Sequence, residues 1–167
     1  MMQQVEIDDR LYRNVLGSFA TGVTVITTEV DKVVHGMTAN AFMSVSLKPK
    51  LVAISIGENA RMLHHIKDSK QFAINILSAN QQNKSKQFAG QLKSESEVTF
   101  TYFKGLPILD DSLAVIACDL HSEYVVGDHT IFIGHVTGVK LEQNDPLLFS
   151  QGKYRELKEL EESESPT

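Results

Sequence analysis

The chain of 167 residues is long enough for one globular domain with a single hydrophobic core. Its 42% apolar and 22% charged residues are typical of a folded protein and argue against disorder. The net charge of −5 arises largely from glutamates near the C-terminus, so the remainder is nearly neutral and nucleic acid is not expected as a ligand.

The first third of the chain predicts a helix followed by a β-hairpin. Apolar residues recur at helical spacing over residues 8–19, and Asp8 can accept hydrogen bonds from the amides of the first turn. The β-branched run at 23–28 predicts a strand. A turn at Asp31-Lys32 leads into a return strand at 33–37.

Two further helices are predicted in the middle of the chain. Residues 61–69 place Met62, Leu63 and Ile66 on one face, which predicts a short helix with that face inward. Ser78 and Gln81 form a capping box for a helix that ends near residues 88–90. The remaining strands are predicted at 51–56, 71–77, 98–103, 113–125 and 130–141. Gly134 and Gly138 in the last of them indicate bulges or a close approach by a ligand or the backbone.

These elements predict a mainly β (α+β) fold, an antiparallel β-barrel with flanking helices. No linker or repeat divides the sequence, so we expect one domain over residues 1–160 and a disordered acidic tail at 161–167. The single cysteine, Cys118, excludes an intrachain disulfide. The acidic N-terminus does not have the pattern of a signal peptide, and no apolar run approaches about 20 residues. A cytoplasmic protein with no membrane partner is expected.

A polar segment interrupts the apolar pattern between two of the predicted strands. Its hydroxyl and amide side chains come at even spacing, which places them on one face of an extended chain: Thr38, Asn40, Ser44 and Ser46. Such groups suit the carbonyls and ring nitrogens of a flavin, or the oxygens of its ribityl and phosphate groups. From spacing alone, the alternative is the solvent face of an edge strand.

Two other residues are candidates for a ligand site. Arg61 precedes a predicted helix, where a cation beside free amides suits a phosphate, although a solvated surface arginine is the alternative. His129 follows Gly127 and Asp128 at a predicted turn, where it can face a cleft or simply be exposed. The spacing of the histidines identifies no third ligand, so no metal site is predicted. The sequence also lacks a Gly-x-Ser-x-Gly elbow and a Gly-x-Gly-x-x-Gly loop.

Six segments taken together resemble the motifs of the flavin reductase family, small FMN-binding split-barrel proteins. In chain order they are residues 19–25, 35–49, 72–77, 87–90, 127–129, and 146–149 with 154–155. The likeness is greatest to the short-chain reductases of two-component aromatic monooxygenases, the type that serves 4-hydroxyphenylacetate hydroxylases. The match covers residues 11–157. The resemblance implies a split β-barrel homodimer with a flavin near the subunit interface.

The resemblance also implies roles for individual residues. FMN or FAD would be bound, and NADH or NADPH would donate hydride, with His129 beside the nicotinamide as a positioning group. The residues implied to contact the cofactor are Gly36, Met37, Thr38, Ala39, Asn40, Ser44, Ser46, Asn59, Arg61, Phe88, His129 and Tyr154. Within this set Thr38, Ala39 and Asn40 meet the ring edge, and Asn59 and Arg61 lie at the phosphate.

The implied function is an NAD(P)H:flavin oxidoreductase that supplies reduced flavin to a partner monooxygenase. One alternative is a non-enzymatic FMN-binding electron carrier or flavin store on the same barrel. Another is an oxidase of a phosphorylated vitamin, which would require more basic residues than this nearly neutral chain carries.

Overall fold

The computed structural model describes residues 6–92 and 97–161, and the acidic tail predicted at 161–167 lies almost wholly outside them. Three α-helices occur in these ranges: α1 (Asp9–Gly17), α2 (Arg61–Ser69) and α3 (Gln82–Phe88), the last preceded by a 3-10 turn at Ala79–Gln81. The strands are β1 (Thr21–Gly22), β2 (Thr24–Val30), β3 (Val33–Ala39), β4 (Phe42–Ser46), β5 (Leu51–Gly57), β6 (Gln71–Ile76), β7 (Phe100–Phe103), β8 (Leu106–Leu109), β9 (Ala114–Val126), β10 (His129–Leu141), β11 (Leu148–Ser150) and β12 (Lys153–Arg155).

Seven of these strands form one antiparallel sheet in the order β3-β2-β6-β9-β10-β5-β4. β3 and β4 lie at opposite ends of that order, yet only Asn40 and Ala41 separate them in the chain. Because three peptide units reach at most about 11 Å, the two ends of the sheet must curl until they are neighbours. β3 and β4 do not pair with each other in the described sheet, so the barrel is split between them.

The barrel interior holds the main hydrophobic core, and α2 packs against it. Ile26, Phe72 and Phe132 are fully buried there. α2 begins and ends where its periodicity predicts, and it buries Met62, Leu63 and Ile66 as expected. Each buried side chain of this size stabilises the fold by roughly 1.5–3 kcal/mol, so three such residues hold the helix firmly against the barrel.

Several local predictions are confirmed. Asp8 caps α1 by accepting from the Leu11 amide at 2.7 Å, and Ser78 and Gln81 form the capping box. The register of β9 and β10 shifts next to Gly134 and again next to Gly138, as the two glycines indicate. A Cβ at Gly134 would lie 2.7 Å from Phe72 Cζ and 2.8 Å from Cys118 Cβ, so close packing explains that glycine.

The structure also corrects the expected elements. The strand predicted at 98–103 begins at Phe100 and pairs with β8, which the sequence analysis did not identify. The intervening turn has positive φ at both Lys104 and Gly105, as a tight hairpin of this kind requires. α1 is amphipathic as predicted, but against the described part of the chain it buries none of its side chains.

Candidate functional site

The polar segment is not one extended strand, and this corrects the expected geometry of its side chains. Thr38 belongs to β3, whereas Ser44 and Ser46 belong to β4 at the other end of the sheet. A register shift between Ser44 and Ser46 further breaks the alternation on β4. Thr38 and Asn40 do share a site, but the even spacing does not place all four side chains on one face.

Three neighbouring clefts follow the chain from β3 into β4. The first, named here the Arg61 cleft, has a volume of about 850 Å³ and includes Gly36, Met37, Arg61 and Phe88 in its lining. The second, the Tyr154 pocket, has about 190 Å³, and Thr38, Ala39, Asn40 and Tyr154 are among its walls. The third, the Phe19 cleft of about 720 Å³, extends from Asn40 past Met43 to the exposed face of α1. Eight of the predicted cofactor residues therefore meet in two adjoining clefts.

The two faces of β3 contact different elements. Met37 and Ala39 pack against the barrel core, and the ring of His35 stacks on His65 of α2. The opposite face meets α3, where a Cβ at Gly36 would lie 2.5 Å from Phe88 Cε1. Glycine at position 36 therefore lets the Phe88 ring lie directly on the backbone of β3. The wall of the Arg61 cleft depends on this contact.

A chain of hydrogen bonds fixes the Tyr154 pocket. The Thr38 hydroxyl donates to the Ser85 carbonyl at 2.6 Å, and the Ser85 hydroxyl lies 2.8 Å from the Tyr154 hydroxyl. Ser85 is buried on α3, so it connects β3 to the closing hairpin of β11 and β12. Ser85 was not predicted as a site residue, because its role depends on contacts between segments about 47 and 69 residues apart.

The Phe19 cleft contains an unpartnered polar atom. The Oγ1 of Thr21 is buried, and it has no hydrogen-bond partner among the described residues. Thr21 lines this cleft together with Asn40 and Phe149. Buried hydroxyl groups are normally satisfied, so this one suits a ligand that supplies the missing partner. Thr21 lies within the first motif of the resemblance but was not proposed as a site residue.

His129 and Asn59 lie at the loop that connects β5 to α2. The Glu58 amide donates to the Asp128 carbonyl at 2.9 Å, which holds the turn before His129 against this loop. A Cβ at Gly57 would lie 3.7 Å from His129 Nε2. His129 and Asn59 are both exposed, and the His129 ring hydrogen-bonds to the Asp128 carboxylate at 2.7 Å. This bond lowers the pKa of Asp128 and orients the ring beside the loop that leads to Arg61.

No metal centre accompanies these clefts. Within residues 6–92 and 97–161, no group of three or more His, Cys, Asp or Glu side chains is arranged to hold an ion. Cys118 is fully buried, and burial raises the pKa of its thiol to about 12. It is therefore an inert core residue, as its apolar neighbours in the sequence indicate. No helix of the described ranges is long and apolar enough to cross a membrane.

Comparison with known proteins identifies the family. Residues 16–158 match the flavin reductase like domain. The chain belongs to the flavin reductase family. It is 40% identical over 148 residues to an NADH-dependent flavin reductase from a Rhodococcus species, covering 87% of this chain and 84% of that protein. It is 38% identical to the reductase component of 4-hydroxyphenylacetate 3-monooxygenase from Thermus thermophilus, covering 87% of this chain and 95% of the relative.

The fold agrees with the family assignment. The solved structure of the flavin reductase PheA2 in its native state superimposes with a TM-score of 0.91 at 57% identity, covering 92% of this chain and all of that one. The predicted antiparallel split barrel with flanking helices is thus confirmed. The roles of individual site residues are not tested by these likenesses and remain predictions.

Proposed function

We propose that this protein is an NADH-dependent flavin reductase that transfers hydride to FMN or FAD and supplies reduced flavin to a partner monooxygenase. The observation that carries this proposal is the convergence of Gly36–Asn40 on two adjoining clefts of a flavin reductase fold. Relatives that are named NADH-dependent flavin reductase and monooxygenase reductase component support both halves of the activity. NADPH is the less favoured donor, because the name of the Rhodococcus relative specifies NADH.

The residues of the clefts fit a flavin. β3 ends the sheet, so the N–H and C=O groups on its outer edge have no strand partner within the described sheet. A planar ring with carbonyls and ring nitrogens along its edge can use such groups, together with Asn40 and the unpartnered Thr21 hydroxyl. When bound, the flavin accepts hydride from the nicotinamide. The Thr38 hydroxyl donates to the Ser85 carbonyl, so its orientation is fixed. Its lone pairs can then accept a hydrogen bond from the ligand.

Other predicted residues are assigned by the same proposal. Arg61 is exposed at the wall of its cleft, where its guanidinium can pair with a phosphate. Asn59 is in the loop just before it. Ser44 and Ser46, on β4, contact the ribityl or phosphate groups from the other side of the split. His129 positions the nicotinamide, because the Asp128 carboxylate orients its ring. Phe88 lines the Arg61 cleft and Tyr154 lines the Tyr154 pocket.

The reductase activity is tested by following the loss of NADH absorbance with the purified protein and added FMN or FAD. We expect NADH consumption only when flavin is present. Adding a flavin-dependent monooxygenase with its aromatic substrate should then yield hydroxylated product. A protein that neither binds flavin nor consumes NADH would contradict the proposal, and flavin binding without NADH oxidation would favour the alternative of an electron carrier.

The role of His129 is tested separately with His129→Ala. We expect a fall in NADH turnover that is larger than the change in flavin affinity, since the side chain positions the nicotinamide and not the flavin. His121→Ala is the matched control, because His121 is an exposed histidine on the neighbouring strand β9 and does not line the three clefts. If His129→Ala has the same steady-state kinetics as the control, His129 does not position the nicotinamide.

We further propose a cytoplasmic homodimer. NADH is a cytoplasmic metabolite, which supports the location. The assembly is supported by an exposed apolar surface at and beside the Phe19 cleft. The exposed residues of this surface are Val15, Leu16 and Phe19 near α1, and Met43, Val45 and Leu47 around β4. An amphipathic helix that buries nothing within the described chain suits an interface between copies.

The dimer is tested by analytical ultracentrifugation at micromolar concentration, where twice the chain mass of 18.6 kDa is expected. Val45→Asp should shift the population towards monomer, because it places a charge in the apolar surface. Val33→Asp is the control, since Val33 is also exposed but begins β3, at the end of that strand remote from its junction with β4, and does not line the Phe19 cleft. A wild-type protein that sediments as a monomer would refute the assembly.

A further inference from the structure

Two histidines that have no role in the site proposed above are stacked in the wall of the Arg61 cleft. His35 on β3 and His65 on α2 have ring centroids 3.5 Å apart and ring planes inclined by only 12°. Both line the cleft with Arg61, which precedes His65 by one turn of the same helix. Among the described residues, neither ring forms a hydrogen bond to another side chain. Their ring nitrogens are therefore available to a ligand.

Protonation of both imidazoles at this distance would place two positive charges side by side, which is unfavourable unless an anion lies beside them. Burial lowers the pKa of His35, and the charge that His65 can carry lowers it further. The other ionisable residues that line the cleft are Arg61 and Glu97. Asp68 lies one turn beyond His65 on α2, and β2 places the neutral Thr28 opposite His35. The described cleft lining thus offers one cation and one anion beside the two rings.

We propose that His35 and His65 act with Arg61 as a phosphate subsite whose affinity increases when the stacked pair takes up a proton. This inference rests on the proposed flavin reductase function. A phosphate or diphosphate accepts hydrogen bonds from the guanidinium and from a protonated ring at once. Its negative charge offsets the repulsion between a protonated ring and the guanidinium of Arg61. Ligand binding and protonation thus favour each other, as linkage requires.

Two ligands of the reaction carry the same chemistry, the diphosphate of FAD and that of the nicotinamide dinucleotide. FAD and NAD⁺ are suitable probes, because their diphosphates keep the same charge across the range in which histidine titrates. Riboflavin has the flavin ring without phosphate. The comparison of these three ligands separates the phosphate subsite from the ring site and identifies which diphosphate occupies it.

The experiment measures dissociation constants of FAD, NAD⁺ and riboflavin at about pH 6 and about pH 8 by isothermal titration calorimetry. FAD or NAD⁺ should bind roughly tenfold more tightly at the lower pH, corresponding to one charge-assisted hydrogen bond. Riboflavin affinity should change little. Whichever dinucleotide shows the dependence occupies the subsite. If neither shows it, the proposal is wrong.

Variants locate the effect. His35→Asn and His65→Asn should each abolish the pH dependence and leave riboflavin binding unchanged, whereas the control His64→Asn should retain it. His64 is the matched control, because it is adjacent on α2 but exposed and does not line the cleft. Persistence of the pH dependence in both pair variants would overturn the proposal.

A measurement on the wild-type protein does not depend on whether the variants fold. The histidine ring resonances are titrated by NMR with and without the dinucleotide that shows the pH dependence. The pKa of one ring of the pair should rise when the ligand binds, and an unchanged pKa would refute the linkage. Riboflavin could bind and be reduced by NADH at about pH 8 while neither the pH dependence of dinucleotide affinity nor the rise in a histidine pKa is seen. That result would refute the phosphate subsite and leave the proposed reductase function intact.

Discussion

The contact between Gly36 and Phe88 provides a quantitative test of the Arg61 cleft. An alanine at position 36 would place its Cβ 2.5 Å from Phe88 Cε1 and 2.6 Å from Cδ1. Carbon atoms in contact prefer about 3.5–4.0 Å, so the ring would have to move by about 1 Å. Phe88 packs against a buried cluster that includes Val25 and Leu77, which resists this movement. We expect Gly36→Ala to lower the free energy of unfolding by about 2 kcal/mol, as for other overpacked sites.

The test is a double-mutant cycle measured by urea unfolding. In a Phe88→Ala background the obstructing ring is gone, so Gly36→Ala should be neutral or stabilise by about 0.5 kcal/mol because alanine restricts the unfolded chain. The coupling energy should then be about 2 kcal/mol. Gly22→Ala is the matched control, since a Cβ there meets nothing within 4 Å. If Gly36→Ala changes the free energy of unfolding equally with and without the Phe88 ring, a clash with that ring is not the cause.

Three further outcomes are expected. Asn75→Ala should lower the free energy of unfolding by about 3 kcal/mol, because the buried carboxamide donates to the Val25 carbonyl at 2.9 Å and accepts from the Leu109 amide at 2.9 Å; a loss below about 1 kcal/mol in urea titrations would contradict this. Ser85→Ala should lower it by about 1 kcal/mol through loss of the Tyr154 bond, and its effect should vanish in a Tyr154→Phe background. Cys118, with a pKa of about 12, should react with a disulfide reagent only after unfolding; rapid labelling of the native protein at neutral pH would show that the thiol is accessible.

Local patterns in the sequence predicted much of the fold. The bounds of α2, the capping box at Ser78, the hairpin turn at Asp31-Lys32 and the bulges at Gly134 and Gly138 all follow from short windows of residues. β8 escaped prediction because it has four residues and contains Pro107, which normally argues against a strand. Pro107 is tolerated because β7 and β8 form a two-stranded sheet, in which each strand is an edge strand.

The candidate site was only partly predictable. The resemblance of residues 35–49 to a family motif correctly pointed to β3 and its cleft. The even spacing of the polar residues predicted a single extended strand, which was wrong because the segment is divided between β3 and β4. Ser85, the Thr21 hydroxyl and the stacked pair of His35 and His65 were missed. Ser85 and the histidine pair owe their roles to partners elsewhere in the chain, and the Thr21 hydroxyl owes its role to burial without a partner among the described residues. Periodicity within one segment contains no information about either.

The sequence by itself determined most of the segments that become helices and strands, and through the family motifs it determined the class of reaction. These properties depend on side-chain periodicity, capping and turn chemistry within a few residues. Only the tertiary structure decided that the chain between Ala39 and Phe42 crosses the split in the barrel, and that His35 meets His65. Pairing of distant strands around a shared core sets both, and the order of strands in a sheet is not encoded in any local pattern.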